Sequence, residues 1–254
     1  MAVKVEDTKK VEHLFGHWQE ALIWSCLQKV MGAVYADRPD DPRSAAAVLG
    51  DFTFFAGQPD SELVSWQSEN GRRDFMILVP QSQEWENMLM DCYGSRAKRS
   101  VRYAIKKEAD VFDRGRLLEA VHSLKPEYSL RMIDRELYDQ CLSEPWSRDL
   151  VSQYEDYGMY ERLGLGVAAL KDGIPVSGAS SYASYKGGIE IEIDTREDHR
   201  RKGLAYGCGA RLILECLERG LYPSWDAHNK WSAALAEKLG YHFDREYPVV
   251  EINL

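Results

Sequence analysis

The stretch from 163 to 195, LGLGVAALKDGIPVSGASSYASYKGGIEIEIDT, constrains this chain more than any other. Its three apolar runs are separated by two glycine-bearing dipeptides, Asp172-Gly173 and Gly187-Gly188, which suit tight turns. The reading is an antiparallel meander of three strands. The last strand alternates Glu190, Ile191, Glu192, Ile193 and Asp194, then breaks into REDHRRKGLA, a charged turn that opens a helix over 204 to 219, stopped by Gly220. A strand that ends among carboxylates and feeds a helix that starts among arginines belongs to a mixed α/β architecture.

The flanking segments fit that class. FDRGRLLEAVHSL is predicted helical and leads to a short strand near 128 to 133, and RELYDQCLSEPW and SRDLVSQYEDYGMYERL give two further helices before the meander. After it come a strand in YPSWDA, a helix in NKWSAALAEKLG stopped by Gly240, and a final strand pair in YHFDREYPVVEINL. In the first half, Leu14, Trp18, Ala21, Leu22, Cys26 and Val30 recur at three and four, which predicts one long helix or two short ones between 8 and 35. Strands follow near 48 to 56 and near 74 to 79, and then a helix in SQEWENMLMDCYG that Gly94 ends. RAKRSVRYAIKK, 96 to 107, reads as a solvated basic helix face, with a grip on an anion as the alternative. No internal repeat is visible. The boundary is placed near 118, giving an N-terminal α+β subdomain over 1–117 and a second domain over 118–254.

A chain of 254 residues with 44% apolar composition can bury a substantial core. Its formal net charge of -9 argues against general affinity for nucleic acid or an anionic membrane, because phosphate binding of that kind needs a basic field. The five cysteines are odd in number and never form C-x-x-C, so neither a disulfide framework nor a zinc site is indicated. No apolar stretch reaches a membrane span and the N-terminus is too charged for a signal peptide, so a soluble cytoplasmic protein is expected. His13 and His17 lack the glutamate of H-E-x-x-H, and no metal is expected. Gly164 to Ala169 formally matches G-x-G-x-x-A, but the turn at Asp172 leaves no room for the helix a dinucleotide fold needs.

The turn at 200 to 205 carries the clearest chemistry. Unpaired N–H groups converge at a helix start, the helix dipole adds positive charge, and Arg200, Arg201 and Lys202 supply more, so a phosphate sits there favourably. Gly203 lets a ligand approach the backbone. Gly207 and Gly209 stand within the first two helical turns at about 1 kcal/mol each against alanine, so a strand or a cofactor is expected close by.

These residues resemble a known family. Arg200-Arg201-Lys202-Gly203-Leu204-Ala205 is similar to the R/Q-x-x-G-x-G/A acetyl-CoA signature of the GNAT N-acetyltransferases, and Asn229 with NKWSAALAEKLGYHF resembles their N-x-x-A…E-K-x-G-F segment. The resemblance covers roughly 125 to 254, and the whole-chain pattern resembles the branch with an extra N-terminal region that includes the zwittermicin A resistance type. It implies a mixed, mostly antiparallel sheet flanked by helices, with acetyl-CoA as cosubstrate and a small-molecule amine as acceptor. It further implies the pyrophosphate on residues 201 to 205, pantetheine along Ile191, Ile193 and Thr195, and contacts from Asn229 and from Ser232, which replaces the usual alanine and reads equally as helix packing. Asn229 reads equally as a helix N-cap.

An amine of pKa near 10.4 is protonated at neutral pH, and freeing its lone pair costs about 4 to 5 kcal/mol. A carboxylate beside the acyl carbon relays that proton. Glu190, Glu192 and Asp194 share one strand face, and Glu192, then Glu190, are the candidate bases, a strand bulge being able to change which residues face inward. The competing reading is a solvated face balanced by lysine or arginine across the sheet. Many members of the resembled family carry a tyrosine seven residues after the asparagine as acid. Here that position is Ala236, so Tyr241 or Tyr206 serves, the thiolate leaves unaided, or catalysis is lost. Two functions therefore stand: an N-acetyltransferase, or a non-catalytic acyl-CoA-binding protein. A homodimer is the common state for such chains.

Overall fold

The computed structural model describes residues 2–70 and 75–253. They form two compact units, one made of the residues up to Arg102 with those from Glu246 on, the other of Tyr103–Arg245.

The first unit runs β1 (Val3–Lys4), α1 (Lys9–Phe15), α2 (Ala21–Leu27), β2 (Ala33–Ala36), β3 (Ser44–Leu49), β4 (Phe52–Gly57), α3 (Ser61–Asn70), β5 (Phe75–Pro80) and α4 (Gln83–Tyr93). The strands lie in the order β1-β2-β3-β4-β5, antiparallel except for the parallel pair β4 and β5. A parallel pair needs a crossover, and α3 supplies it. Phe55, Leu63, Val64, Met76, Leu78, Trp85 and Leu89 fill the core. The helical stretch from 8 resolves into two short helices, and the chain is already extended at Ala33. The single strand expected near 48 to 56 is a hairpin around Gly50 and Asp51, because Gly50 at φ 59° turns the chain. Of the strand expected near 74 to 79, residue 74 lies outside the described residues.

The chain leaves this unit within β6 (Ala97–Ile105), which corrects the helix expected over 96 to 107. Lysines and arginines tolerate either state where they face water, and the buried Tyr103, Ala104 and Ile105 decide for a strand.

The second unit continues with α5 (Arg114–His122), β7 (Tyr128–Met132), α6 (Arg135–Ser143), α7 (Tyr157–Leu163), β8 (Gly166–Lys171), β9 (Ile174–Tyr185), β10 (Gly188–Thr195), α8 (Leu204–Glu218), β11 (Tyr222–Ser224), β12 (Asp226–Ala227), α9 (Lys230–Lys238) and β13 (Phe243–Asn253). Strands β7-β8-β9-β10-β11 form one sheet, antiparallel except for β10 and β11. The meander stands where the sequence put it. The long helix expected over SRDLVSQYEDYGMYERL is instead a 3-10 turn at Arg148–Leu150 followed by α7, whose start Asp156 caps by accepting from the Met159 N–H at 2.7 Å. YPSWDA splits, with β11 pairing to β10 and β12 to β6. The final strand pair is one strand, β13, whose end pairs with β5.

The two units repeat one plan. Each runs strand, helix, helix, three-strand meander, crossover helix, parallel strand and helix, with the same strand order and the same single parallel pair at its end. The repeat is one of structure and is not visible in the sequence. The repetition lies in element order and burial, which many unrelated sequences satisfy.

Helix α8 packs on β8, β9 and β10 and against α5. The close approach anticipated at its glycines is real and comes from the protein itself. A Cβ on Gly207 would meet the Leu124 side chain at 2.9 Å, and one on Gly209 would meet Leu239 at 2.9 Å and Ile193 at 3.2 Å.

Candidate functional site

Beyond Thr195 the chain makes a 3-10 turn over Glu197–His199 and then enters α8. Arg201 at φ 60° and Gly203 at φ 82° both take left-handed backbone, and Gly203 stands at the N-cap without a side-chain cap. Left-handed geometry costs a residue with a Cβ about 1–2 kcal/mol, so the surroundings must hold Arg201 there. They do so through several bonds. Arg200 Nε donates to the Thr195 carbonyl at 3.3 Å, Lys202 Nζ to the Asp198 carbonyl at 2.8 Å, and Arg196 pairs with Asp198 at 2.7 and 3.1 Å. His199 is buried at the root of the turn, its Nδ1 3.2 Å from the Tyr128 hydroxyl.

The first backbone bond into α8 is from the Gly207 N–H to the Gly203 carbonyl at 3.1 Å, so the N–H groups of Leu204, Ala205 and Tyr206 have no acceptor in the helix. Apart from its own stretch of chain, nothing among the described residues lies within 4 Å of where a Gly203 Cβ would be. Such an open, basic helix start is able to hold an anion.

Strand β10 leads into this turn along an opened edge. It pairs with β11 only from Gly188↔Tyr222 to Glu190↔Ser224; the chain then departs, and Asp226 and Ala227 pair with Ala104 and Tyr103. Among the described residues, no strand pairs that edge of β10 from Ile191 to Thr195. An extended ligand carrying amides can therefore add to it as a strand would. Ile191 and Ile193 turn their side chains to the α8 core, and Thr195 Oγ1 bonds Ser177 Oγ at 2.7 Å, so these three residues offer backbone to a ligand.

The alternation along β10 puts Glu190, Glu192 and Asp194 on the face opposite the α8 core. A bulge is present between Glu190 and Ile191, but its extra residue is Tyr182 on β9, so the isoleucine and carboxylate faces of β10 are not exchanged. Glu192, half-buried, is the direct partner of Ser180, whose Oγ lies 2.9 Å from the Tyr160 hydroxyl. Burial pushes the Asp194 carboxyl above its ordinary range; the Thr195 N–H and Arg200 oppose this, and Asp149 on the 3-10 turn at 148–150 adds to it. Glu190 is buried, and burial first, with Glu190 adding to it, raises the phenols of Tyr185, Tyr222 and Tyr241.

Tyr241 lies within the electrostatic reach of Glu190, but its hydroxyl is committed elsewhere. It is buried, donates its hydroxyl to the Pro223 carbonyl at 2.6 Å, and burial holds its pKa well above 10. Tyr206 lies in the first turn of α8 with Lys238 Nζ 3.9 Å from its ring centre. Asn229 caps α9 through Oδ1, accepting from Trp231 and Ser232 N–H at 3.0 and 2.9 Å, which leaves its Nδ2 donor without a partner among the described residues. Ser232 Oγ accepts from Trp225 Nε1 at 3.1 Å.

Sequence reasoning missed the hydroxyl network on β9, the neighbour of β10. Tyr154 meets Ser181 at 2.6 Å and Ser184 at 3.1 Å, and burial pushes its phenol to about 12. The signal was available: serines inside an apolar strand need partners. No helix among the described residues is long and apolar enough to cross a membrane, and no group of three or more potential metal ligands occurs among them.

Comparison with known proteins identifies the family. The family model for GNAT acetyltransferases matches residues 12–250. The chain is 27% identical over 246 residues to YdfB of Bacillus subtilis (strain 168), an uncharacterized N-acetyltransferase, covering 87% of this chain and 86% of that one. A crystal structure of a GCN5-related N-acetyltransferase-like protein from Streptococcus suis 89/1591 superposes with a TM-score of 0.92 at 49% identity, covering 97% and 98% of the two chains. A tandem GNAT protein from the clavulanic acid biosynthesis pathway shares the fold at a TM-score of 0.53 and 9% identity, over 99% of this chain and 97% of that one. With its mixed α/β fold, its opened strand edge and its basic turn, the chain belongs to the GNAT acetyltransferase family.

Proposed function

We propose that the protein transfers acetyl from acetyl-CoA to an amino group of a small molecule, a metabolite or an aminated antibiotic. The observation that carries this reading is the opened edge of β10 running into the Arg201–Gly203 turn. The residues fit the cosubstrate. The N–H groups at the start of α8, with exposed Arg201 beside them, hold the pyrophosphate, and the empty space at Gly203 admits it. The edge from Ile191 to Thr195 offers strand-like hydrogen bonds to the pantetheine amides, and Asn229 Nδ2 is a further donor. When bound, acetyl-CoA supplies an acetyl group activated as a thioester.

In this reading Glu192 removes the proton from the acceptor ammonium, with Glu190, more deeply buried, as the second candidate. Asp194 and Asp149 add negative charge on the same side, which favours a cationic acceptor. A thiol of pKa near 8.5 leaves as thiolate without a dedicated acid. Tyr241 serves by holding Pro223 of β11, since donating a proton to the thiolate would require breaking that bond. The whole-chain resemblance to the zwittermicin A resistance branch supports an aminated antibiotic as one acceptor class.

The test is free-thiol release from acetyl-CoA across a panel of amines, alongside calorimetric binding of acetyl-CoA without acceptor. Release with one amine class supports the proposal and names the acceptor. Binding with no release from any amine points to an acyl-CoA-binding protein, and absence of binding refutes the reading of the turn.

A further inference from the structure

We infer that the first unit is a second copy of the cofactor-binding scaffold whose slot is closed by its own side chains, so that the protein takes up one acetyl-CoA per chain, in the 103–245 unit alone. This rests on the cofactor reading of the turn at 200–205. By element order, β4 corresponds to β10, α3 to α8, β5 to β11 and α4 to α9. The equivalent features differ at each point where a cofactor would bind.

The turn differs first. Where the second unit enters its crossover helix through basic residues and an uncapped Gly203, the first enters α3 through Gly57-Gln58-Pro59-Asp60. Asp60 Oδ1 accepts from the Leu63 N–H at 2.8 Å, and Glu62 adds a second negative charge in the first turn. The helix start is thus bound by the chain's own carboxylate and repels an anion. At the position before the helix that Gly203 leaves open, Asp60 already carries a side chain bound to the helix start.

The slot differs next. The pair β10 and β11 separates after three registers, while β4 and β5 stay paired from Phe52↔Ile77 to Phe55↔Pro80. The closure continues past the strands: Gln81 N–H donates to the Phe55 carbonyl at 3.0 Å, and Gln81 Oε1 accepts from the Gly57 N–H at 2.9 Å. No edge remains there for a pantetheine arm.

Trp85 completes the closure. It stands three residues after Ser82, the cap of α4, as Ser232 stands three after Asn229, the cap of α9. Where the second unit has a small hydroxyl side chain, the first has a fully buried indole. Its Nε1 donates to the Gly57 carbonyl at 2.9 Å and its ring lies 5.0 Å from that of Phe55. The indole takes the volume and the end-of-strand acceptor that a ligand would use.

The experiment is a calorimetric titration with CoA of the full chain, of Gly203→Glu and of Arg201→Glu, with melting temperatures to verify that each variant folds. The expected result is one equivalent bound by the wild type, none by Gly203→Glu, and weakened uptake of a single equivalent by Arg201→Glu. Two equivalents in the wild type would overturn the inference while leaving the acetyl-CoA reading of the turn standing, whereas one equivalent that survives Gly203→Glu unweakened would overturn both. A wild type that binds no CoA would overturn both.

Discussion

Replacing Gly203 separates a backbone effect from an electrostatic one at the same atom. Gly203 holds φ 82°, so alanine there pays about 1–2 kcal/mol for left-handed geometry. Loss of glycine's freedom in the unfolded chain returns roughly 0.4–1 kcal/mol. The net cost is about 1 kcal/mol, which in a chain of this size lowers the melting temperature by roughly 2–4 °C. No steric term adds to it, because, apart from its own stretch of chain, nothing among the described residues lies within 4 Å of the new Cβ. Glutamate has the same backbone cost and brings a charge. At about 5 Å from a phosphate and an effective dielectric of about 20, one pair of charges repels by about 3 kcal/mol, or roughly a hundredfold in affinity. Calorimetry with CoA should therefore find Gly203→Ala within about tenfold of wild type and Gly203→Glu at least about a hundredfold weaker, with similar melting temperatures. Equal CoA affinity for the two variants would refute the placement of the pyrophosphate.

Further predictions bear on the other named groups. Glu192→Gln should lower turnover in thiol-release assays by about 10²–10⁴-fold while leaving CoA affinity nearly intact; a parallel loss of binding would make Glu192 a scaffold residue. Asn229→Ala should cost about 1 kcal/mol of stability through the lost cap. Asn229→Ser keeps the cap and removes Nδ2, so its CoA affinity should fall with little change in melting temperature; unchanged affinity would leave Asn229 a cap alone. Burial, then Lys202, lowers the pKa of His199 below 6.5, with Arg196 and Lys171 acting the same way and Asp198 opposing. The unfolded state then binds the proton more readily, so this contribution to stability is complete above about pH 6.5 and is lost as pH falls through the lowered folded value. His199→Gln should flatten the dependence of melting temperature on pH in that window, and an unchanged slope would place the titration elsewhere.

Much of the second unit was legible in the sequence because its signals are local. Asp172-Gly173 turns a hairpin, Gly220 and Gly240 end helices at φ 66° and 109°, and Asn229 caps one, each through bonds within a few residues. The basic stretch at 96 to 107 was misread for the converse reason: charges that face water suit either state, and only the burial of Tyr103 and Ile105 selects a strand. The carboxylate face of β10 followed from the two-residue period. The hydroxyls of Tyr154 and Tyr160 bonded to the neighbouring strand did not, since they come to Ser181 and Ser180 from residues 20 or more positions away.

The sequence by itself determined the meander, the turn that feeds α8 and the chemistry of its residues, because alternation, glycine conformation and charge act within one or two turns of chain. Only the tertiary structure decided where β10 loses its neighbour, that Tyr241 is committed to Pro223, and that Trp85 fills in the first unit what the second leaves open. Those outcomes depend on which distant residues reach the same volume, and while periodicity marks which face is buried, it does not record which partner that face meets.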